Sequence, residues 1–181
     1  MSRPKDCVRT WICYAEVEME YRIRKMNERE YPLLNHFLYE AIFQREGEEK
    51  FPLDIINKPE LQIYIDGFGT QPDDFCLCAE AGGRIVGAAW LRKIRGYGYV
   101  DAETPELILS VDSEYRGRGI GTQLLKEMIR YSEKSGCRKL SLSVQKDNYA
   151  AGMYLKAGFR VVMEDEEEYI MVYVFEWGAG S

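Results

Sequence analysis

A run of glycines and arginines, Arg116-Gly117-Arg118-Gly119-Ile120-Gly121, lies between a strand-like segment (Leu107, Ile108, Leu109, Ser110, Val111) and a helix-like one (Leu124, Leu125, Met128, Ile129). A chain that leaves a strand, turns on glycines and enters a helix aims several backbone N–H groups at one point. With the positive end of the helix dipole they form an anion site well suited to phosphate. The arginines add guanidinium groups that can fork onto phosphate oxygens. The run therefore predicts a phosphate-bearing cofactor or substrate. A Walker A loop would close on Gly-Lys-Ser/Thr, but Gly121 is followed by Thr122 and Gln123. The dinucleotide fingerprint, counted from Gly117 and Gly119, needs a third glycine where Thr122 stands, and no βαβ unit opens the chain.

The remaining pattern, Arg/Gln-x-x-Gly-x-Gly/Ala, is met by Arg116, Gly119 and Gly121. It resembles the pyrophosphate loop of the GNAT superfamily of acyl-CoA N-acyltransferases. Further along, a second β-like run (Leu140, Ser141, Leu142, Ser143, Val144) leads into Asn148, Ala150, Tyr154 and Gly158-Phe159. That order resembles the second signature of the same family: a strand, an Asn, a helix carrying a Tyr, and a closing Gly-Phe. The resemblance runs from Ile23 to Phe175 and is strongest between Glu106 and Phe159.

Composition narrows the field. The length of 181 residues suits one domain, and 46% hydrophobic residues supply a core. A net charge of −6 argues against a general nucleic-acid binder. No apolar run approaches a membrane span, and Trp11 to Ala15 followed by acids does not read as a signal peptide. Five scattered cysteines (Cys7, Cys13, Cys76, Cys78, Cys137) predict free thiols and a reducing cytoplasm rather than a disulfide framework. Cys76 and Cys78 point to one face of a strand, but the single histidine, His36, is remote in sequence, so a metal site is not expected.

Periodicity sets out the elements. Residues 1–15 read as an irregular lead-in and 16–181 as one domain. Glu16 to Met26 alternates with the strand period. Asn27 caps a helix, with Glu30 as its capping-box partner and Leu34, Phe37, Leu38, Ala41 and Ile42 on one face. A second helix follows Pro59, with Leu61, Tyr64, Ile65 and Phe68 at helical spacing. Phe75–Ala79 and Arg84–Leu91 form a hairpin about Gly82-Gly83, and Gly96 to Asp101 begins a further element. Leu107–Val111, a helix ending at Gly136, Leu140–Val144, a helix from Asn148 to Ala157, and strands Phe159–Met163 and Tyr169–Phe175 complete the chain. The layout β-αα-ββββ-α-β-α-ββ predicts an α/β mixed sheet with helices on its faces. The resemblance implies a mostly antiparallel seven-stranded sheet whose two central strands, here Leu107–Val111 and Leu140–Val144, splay apart to admit the cofactor.

The resemblance also implies roles. Acetyl-CoA is the cofactor, its pyrophosphate on Arg116, Gly117, Arg118, Gly119, Ile120, Gly121 and Thr122. The main chain of Leu109 to Val111 pairs with the pantetheine arm, and an N–H near Val111 polarises the thioester carbonyl. Tyr154 stands where relatives carry a general acid. Asn148 is a helix cap, a cofactor contact, or both. Glu106, at the head of the strand before the loop, is the candidate general base, with Asp101 and Glu103 as alternatives. Phe43, Trp90, Tyr97 and Tyr99 are the candidate pocket aromatics, with a plain core or surface ring as the alternative for each. The acceptor is an amine of a small molecule or a protein, which the sequence does not choose. A non-catalytic acyl-CoA sensor on the same fold is the competing reading. Tyr169–Phe175, read as an edge strand, suggests a homodimer.

Overall fold

The computed structural model describes residues 20–45 and 47–176. The lead-in, residues 1–15, lies outside the described residues, as does Glu16 to Met19 of the first predicted strand. Seven strands form one sheet in the order β1-β2-β3-β4-β5-β7-β6. They are β1 (Tyr21–Lys25), β2 (Phe75–Ala81), β3 (Arg84–Arg92), β4 (Glu106–Val111), β5 (Lys139–Gln145), β6 (Arg160–Glu164) and β7 (Glu168–Val174). All neighbours pair antiparallel except β4 and β5, which run parallel.

Alternation on the strands builds two cores. Phe75, Leu77, Ala79, Leu107 and Val111 face α3 (Ile120–Lys134) and α4 (Ala150–Ala157), where Leu124, Leu125 and Met128 pack on them. The intervening residues Cys76, Cys78, Ala88 and Trp90 face α1 (Leu34–Ala41) and the segment that follows α2 (Pro59–Gln62). The thiols of Cys76 and Cys78 are thus core groups, and burial raises both above the ordinary thiol range, Cys78 to about 11. Among the described residues no three His, Cys, Asp or Glu side chains gather as metal ligands would.

Three expectations need correction. Gly96 to Asp101 is not a strand but a loop, held by bonds from the Gly96 and Gly98 N–H groups to the Glu106 side chain in place of a neighbouring strand, and packed so that neither glycine has room for a Cβ. The helix after Pro59 keeps its apolar spacing but only its first turn is α-helical. From Tyr64 onward the segment closes mainly on i−3 carbonyls, and Gly67 and Gly69 take positive φ. Tyr169–Phe175 is not an edge either: β7 pairs with β5 along its full length and with β6 on its other side, leaving β6 outermost. The remaining elements stand close to their predicted positions. Asn27 and Glu30 form the capping box, although the first turns after it are 3-10 before α1 begins.

Candidate active site

β4 and β5 share one ladder pair, Glu106 opposite Ser141, anchored by the Ser141 N–H on the Pro105 carbonyl at 3.1 Å. Beyond it the strands diverge. The β3–β4 register is unbroken and the Asp112 N–H bonds the Val86 carbonyl at 2.9 Å, so Ser110 and Ile108 turn their backbone groups toward β3. The backbone groups of Leu109 and Val111 therefore face the opening toward β5. One acceptor there is already taken: the Val111 carbonyl receives Arg116 Nε at 2.8 Å.

The glycine run closes the end of this opening. Gly117 and Gly119 have φ of +74° and +80°, the left-handed region that L side chains avoid, and Gly119 is the N-cap of α3. The first helical bond is Gln123 N–H to the Gly119 carbonyl at 3.0 Å, so the N–H groups of Ile120, Gly121 and Thr122 have no partner within the helix. A Cβ on Gly121 would meet only Leu109, Val111 and Met153 at 3.6–3.8 Å, which shows how closely the helix start lies over β4.

The two arginines differ. Arg116 holds the loop from within: besides Val111 it contacts Glu40, donating from Nη2 to the backbone carbonyl at 3.1 Å and the carboxylate at 2.9 Å. The expectation that its guanidinium lies open for phosphate overlooks this engagement, while its backbone remains part of the loop. Arg118 is exposed and lies over the Tyr115 ring at 5.8 Å.

Opening and loop belong to one cleft of about 2010 Å³. Glu106 to Val111, Arg116, Gly117, Gly119 to Thr122, Asn148 and Tyr154 all line it. Asn148 caps α4, its Oδ1 accepting the Ala150 N–H at 2.9 Å. Tyr154 on α4 is 6% exposed and meets Phe159 edge-on. Burial pushes its phenol well above the usual range, so it stays protonated through neutral pH. Phe43 and Tyr97 also line the cleft, Tyr97 being 51% exposed. Trp90 does not: it is fully buried, with Nε1 on the Tyr64 carbonyl at 3.1 Å, and Tyr99 instead lies beneath Arg95. Asp101 is committed to Thr104, Glu103 and Lys139, which hold its carboxylate below the usual range.

Glu106 is 2% exposed yet fully partnered. Its Oε1 accepts the Gly96 N–H at 2.7 Å; its Oε2 accepts the Gly98 N–H at 2.9 Å and the Tyr64 hydroxyl at 3.0 Å. Burial raises its pKa and these three donors oppose the rise, with a net result above the ordinary carboxylate value. The sequence reading missed Tyr64 as a polar partner, because at helical spacing it counts as one more apolar residue.

Residues 27–159 match the acetyltransferase (GNAT) family model. The chain belongs to this family. An acetyltransferase of Pectobacterium atrosepticum is 36% identical over 107 residues, covering 59% of this chain and 70% of that protein. The PaiA N-acetyltransferase of Thermoplasma acidophilum, solved with coenzyme A, superposes with a TM-score of 0.64 at 24% identity, over 87% of this chain and 100% of that one. The YncA structure from Salmonella typhimurium, which holds acetyl-CoA, gives 0.63 at 17% identity, over 90% and 98%. The splayed strands are the family's wedge, and the fold is a CoA-binding one. As a GNAT acetyltransferase the chain is an acetyl-CoA-dependent N-acyltransferase. Among its described residues no helix is long and apolar enough to cross a membrane.

Proposed function

We propose that the protein transfers an acetyl group from acetyl-CoA to a primary amine by direct attack. The observation that carries the reading is the single β4–β5 pair at Glu106 and Ser141, beyond which the backbone of Leu109 and the N–H of Val111 face away from β3 and meet the glycine loop in one cleft. The residues fit the cofactor. Free helix-start N–H groups of Ile120, Gly121 and Thr122 suit the pyrophosphate, with Arg116 to Gly119 shaping the turn beside them. The open edge at Leu109 and Val111 suits an amide-bearing arm, and Asn148 borders the same cleft.

Acetyl-CoA supplies an acyl group already activated as a thioester. The Val111 N–H polarises the carbonyl oxygen. Glu106, directly or through a water, takes the proton of the amine as the N–C bond forms. As the C–S bond breaks, Tyr154 donates its hydroxyl hydrogen to the departing sulfur. Its raised pKa makes full transfer uphill, so the phenol acts chiefly as a hydrogen-bond donor and solvent supplies the final proton. Free thiols at Cys76, Cys78 and Cys137 accord with a reducing cytoplasm. A homodimer belongs to the same proposal, its contact moved to β6, where Val161, Val162 and Met163 are all exposed.

Calorimetric titration with acetyl-CoA and free CoA, then a thiol-release assay over a panel of primary amines, tests this reading. Binding followed by release on one amine class is expected. No CoA binding overturns the assignment of the cleft; binding without release from any amine returns the sensor reading.

A further inference from the structure

Tyr64 lies 42 positions before Glu106 in the chain, and its hydroxyl donates its hydrogen to the Glu106 carboxylate. The same oxygen accepts the Tyr97 N–H at 2.7 Å. A phenol has one hydrogen, and a backbone N–H can only donate, so the direction of both bonds is fixed. Tyr64 thus connects the segment after α2, the loop of Gly96 to Gly98, and the head of β4.

Nothing in this connection is loose. The Tyr64 carbonyl is held by Trp90 Nε1, and the flanking carbonyls of Ile63 and Asp66 accept Arg92 Nη1 at 3.1 and 2.6 Å. Arg92 is itself buried and lies 3.2 Å from Asp74. The loop has no slack either: a Cβ on Gly96 would stand 2.2 Å from the Tyr64 hydroxyl, and one on Gly98 would stand 2.7 Å from the Leu142 backbone. Three anchored elements therefore converge on one carboxylate that lines the cleft.

We infer that Tyr64 is the positioning residue for Glu106, orienting its carboxylate toward the cleft and favouring its ionised form through a directed O–H donor. This rests on the reading of Glu106 as the base. Two backbone N–H groups cannot be tuned by evolution of a side chain; the phenol can. Among the described residues, Tyr64 is the one titratable side chain acting on Glu106, the loop contributing the Gly96 and Gly98 N–H groups. Removing the hydroxyl takes away one of the three donors that oppose the effect of burial, so the carboxylate becomes harder to ionise.

The test is a carbon-13 NMR titration of glutamate-labelled full-length protein, with Glu106→Gln identifying the Glu106 signal, alongside thiol release with the best amine of the panel. Tyr64→Phe is expected to move the Glu106 titration to higher pH. It is also expected to lower kcat by about tenfold near neutral pH, with CoA affinity unchanged. Fluorotyrosine at position 64, a stronger donor, is expected to move the titration the opposite way. An unchanged Glu106 titration in both variants overturns the positioning role. Full turnover in Glu106→Gln overturns the base assignment instead, while the NMR shift still reports whether Tyr64 controls the carboxylate.

Discussion

Arg116 and Glu40 meet at 2.9 Å across the mouth of the cleft, tying the entry of the glycine loop to the last turns of α1. The same guanidinium reaches the Val111 carbonyl, so one side chain fixes both the end of β4 and the loop that follows it. Glu40→Gln keeps the shape and removes the charge. Because Arg116 is partly solvated, the effect is modest: CoA affinity falls by roughly two- to fivefold in calorimetry at low salt. Arg116→Lys loses more, since one ammonium cannot reproduce a fork that serves three acceptor atoms on Val111 and Glu40. Unaltered affinity in both variants would remove Arg116 from the account of the loop.

Tyr154→Phe tests the acid. The ring continues to pack on Phe159, so the fold and CoA affinity are retained. Turnover is expected to fall by about a hundredfold. Steady-state thiol release at saturating acetyl-CoA reads the difference; a variant as fast as the parent excludes Tyr154 from proton donation.

Gly119 and Gly121 make a matched pair of alanine substitutions. At Gly119 a Cβ has open space but the φ of +80° penalises any L residue, so Gly119→Ala costs about 1–2 kcal/mol in urea unfolding. At Gly121 the backbone is helical and the new Cβ meets only ordinary contacts, so stability is unchanged. Equal losses at the two sites would mean that positive φ is not what demands glycine at 119.

Arg24 hydrogen-bonds both oxygens of Glu30, lowering its pKa from the usual 4.5 to about 2. A depressed carboxylate contributes stability above its unfolded pKa and loses it as pH falls toward the folded one. Glu30→Gln is therefore less stable than the parent at neutral pH, by under about 1 kcal/mol after solvent screening. The two unfolding curves converge as pH drops from 4.5 to 2. A constant gap across that window would place the pair's contribution in packing instead of charge.

What was legible in the sequence is what depends on near neighbours. The glycine turn between β4 and α3, the cap at Asn27, the stop at Gly158 and the strand periods are local properties, and each stands where the pattern puts it. Glu106 was legible as a carboxylate at a strand head. Its setting was not, because the Gly96, Gly98 and Tyr64 donors reach it through folding of separate segments. The same reason hid the use of Arg116, whose partner Glu40 is 76 residues away. Trp90 was left between pocket and core, and the structure puts it in the core, because aromatic character does not reveal which face of a strand is covered. β7 was mistaken for an edge because chain order alone does not say that the last strand inserts between β5 and β6.

The lone bridge between β4 and β5 has one more consequence. Sheet edges are hazardous because unpaired backbone groups recruit foreign strands, and proteins keep them short or covered. This fold carries such an edge inside itself, along Leu109 and the Val111 N–H, where β5 does not pair with it and a ligand lying in the cleft can. The cofactor is in that sense a missing strand. Protein stored without it exposes a template for its neighbours, and light scattering on warming will rise earlier than in a sample saturated with CoA.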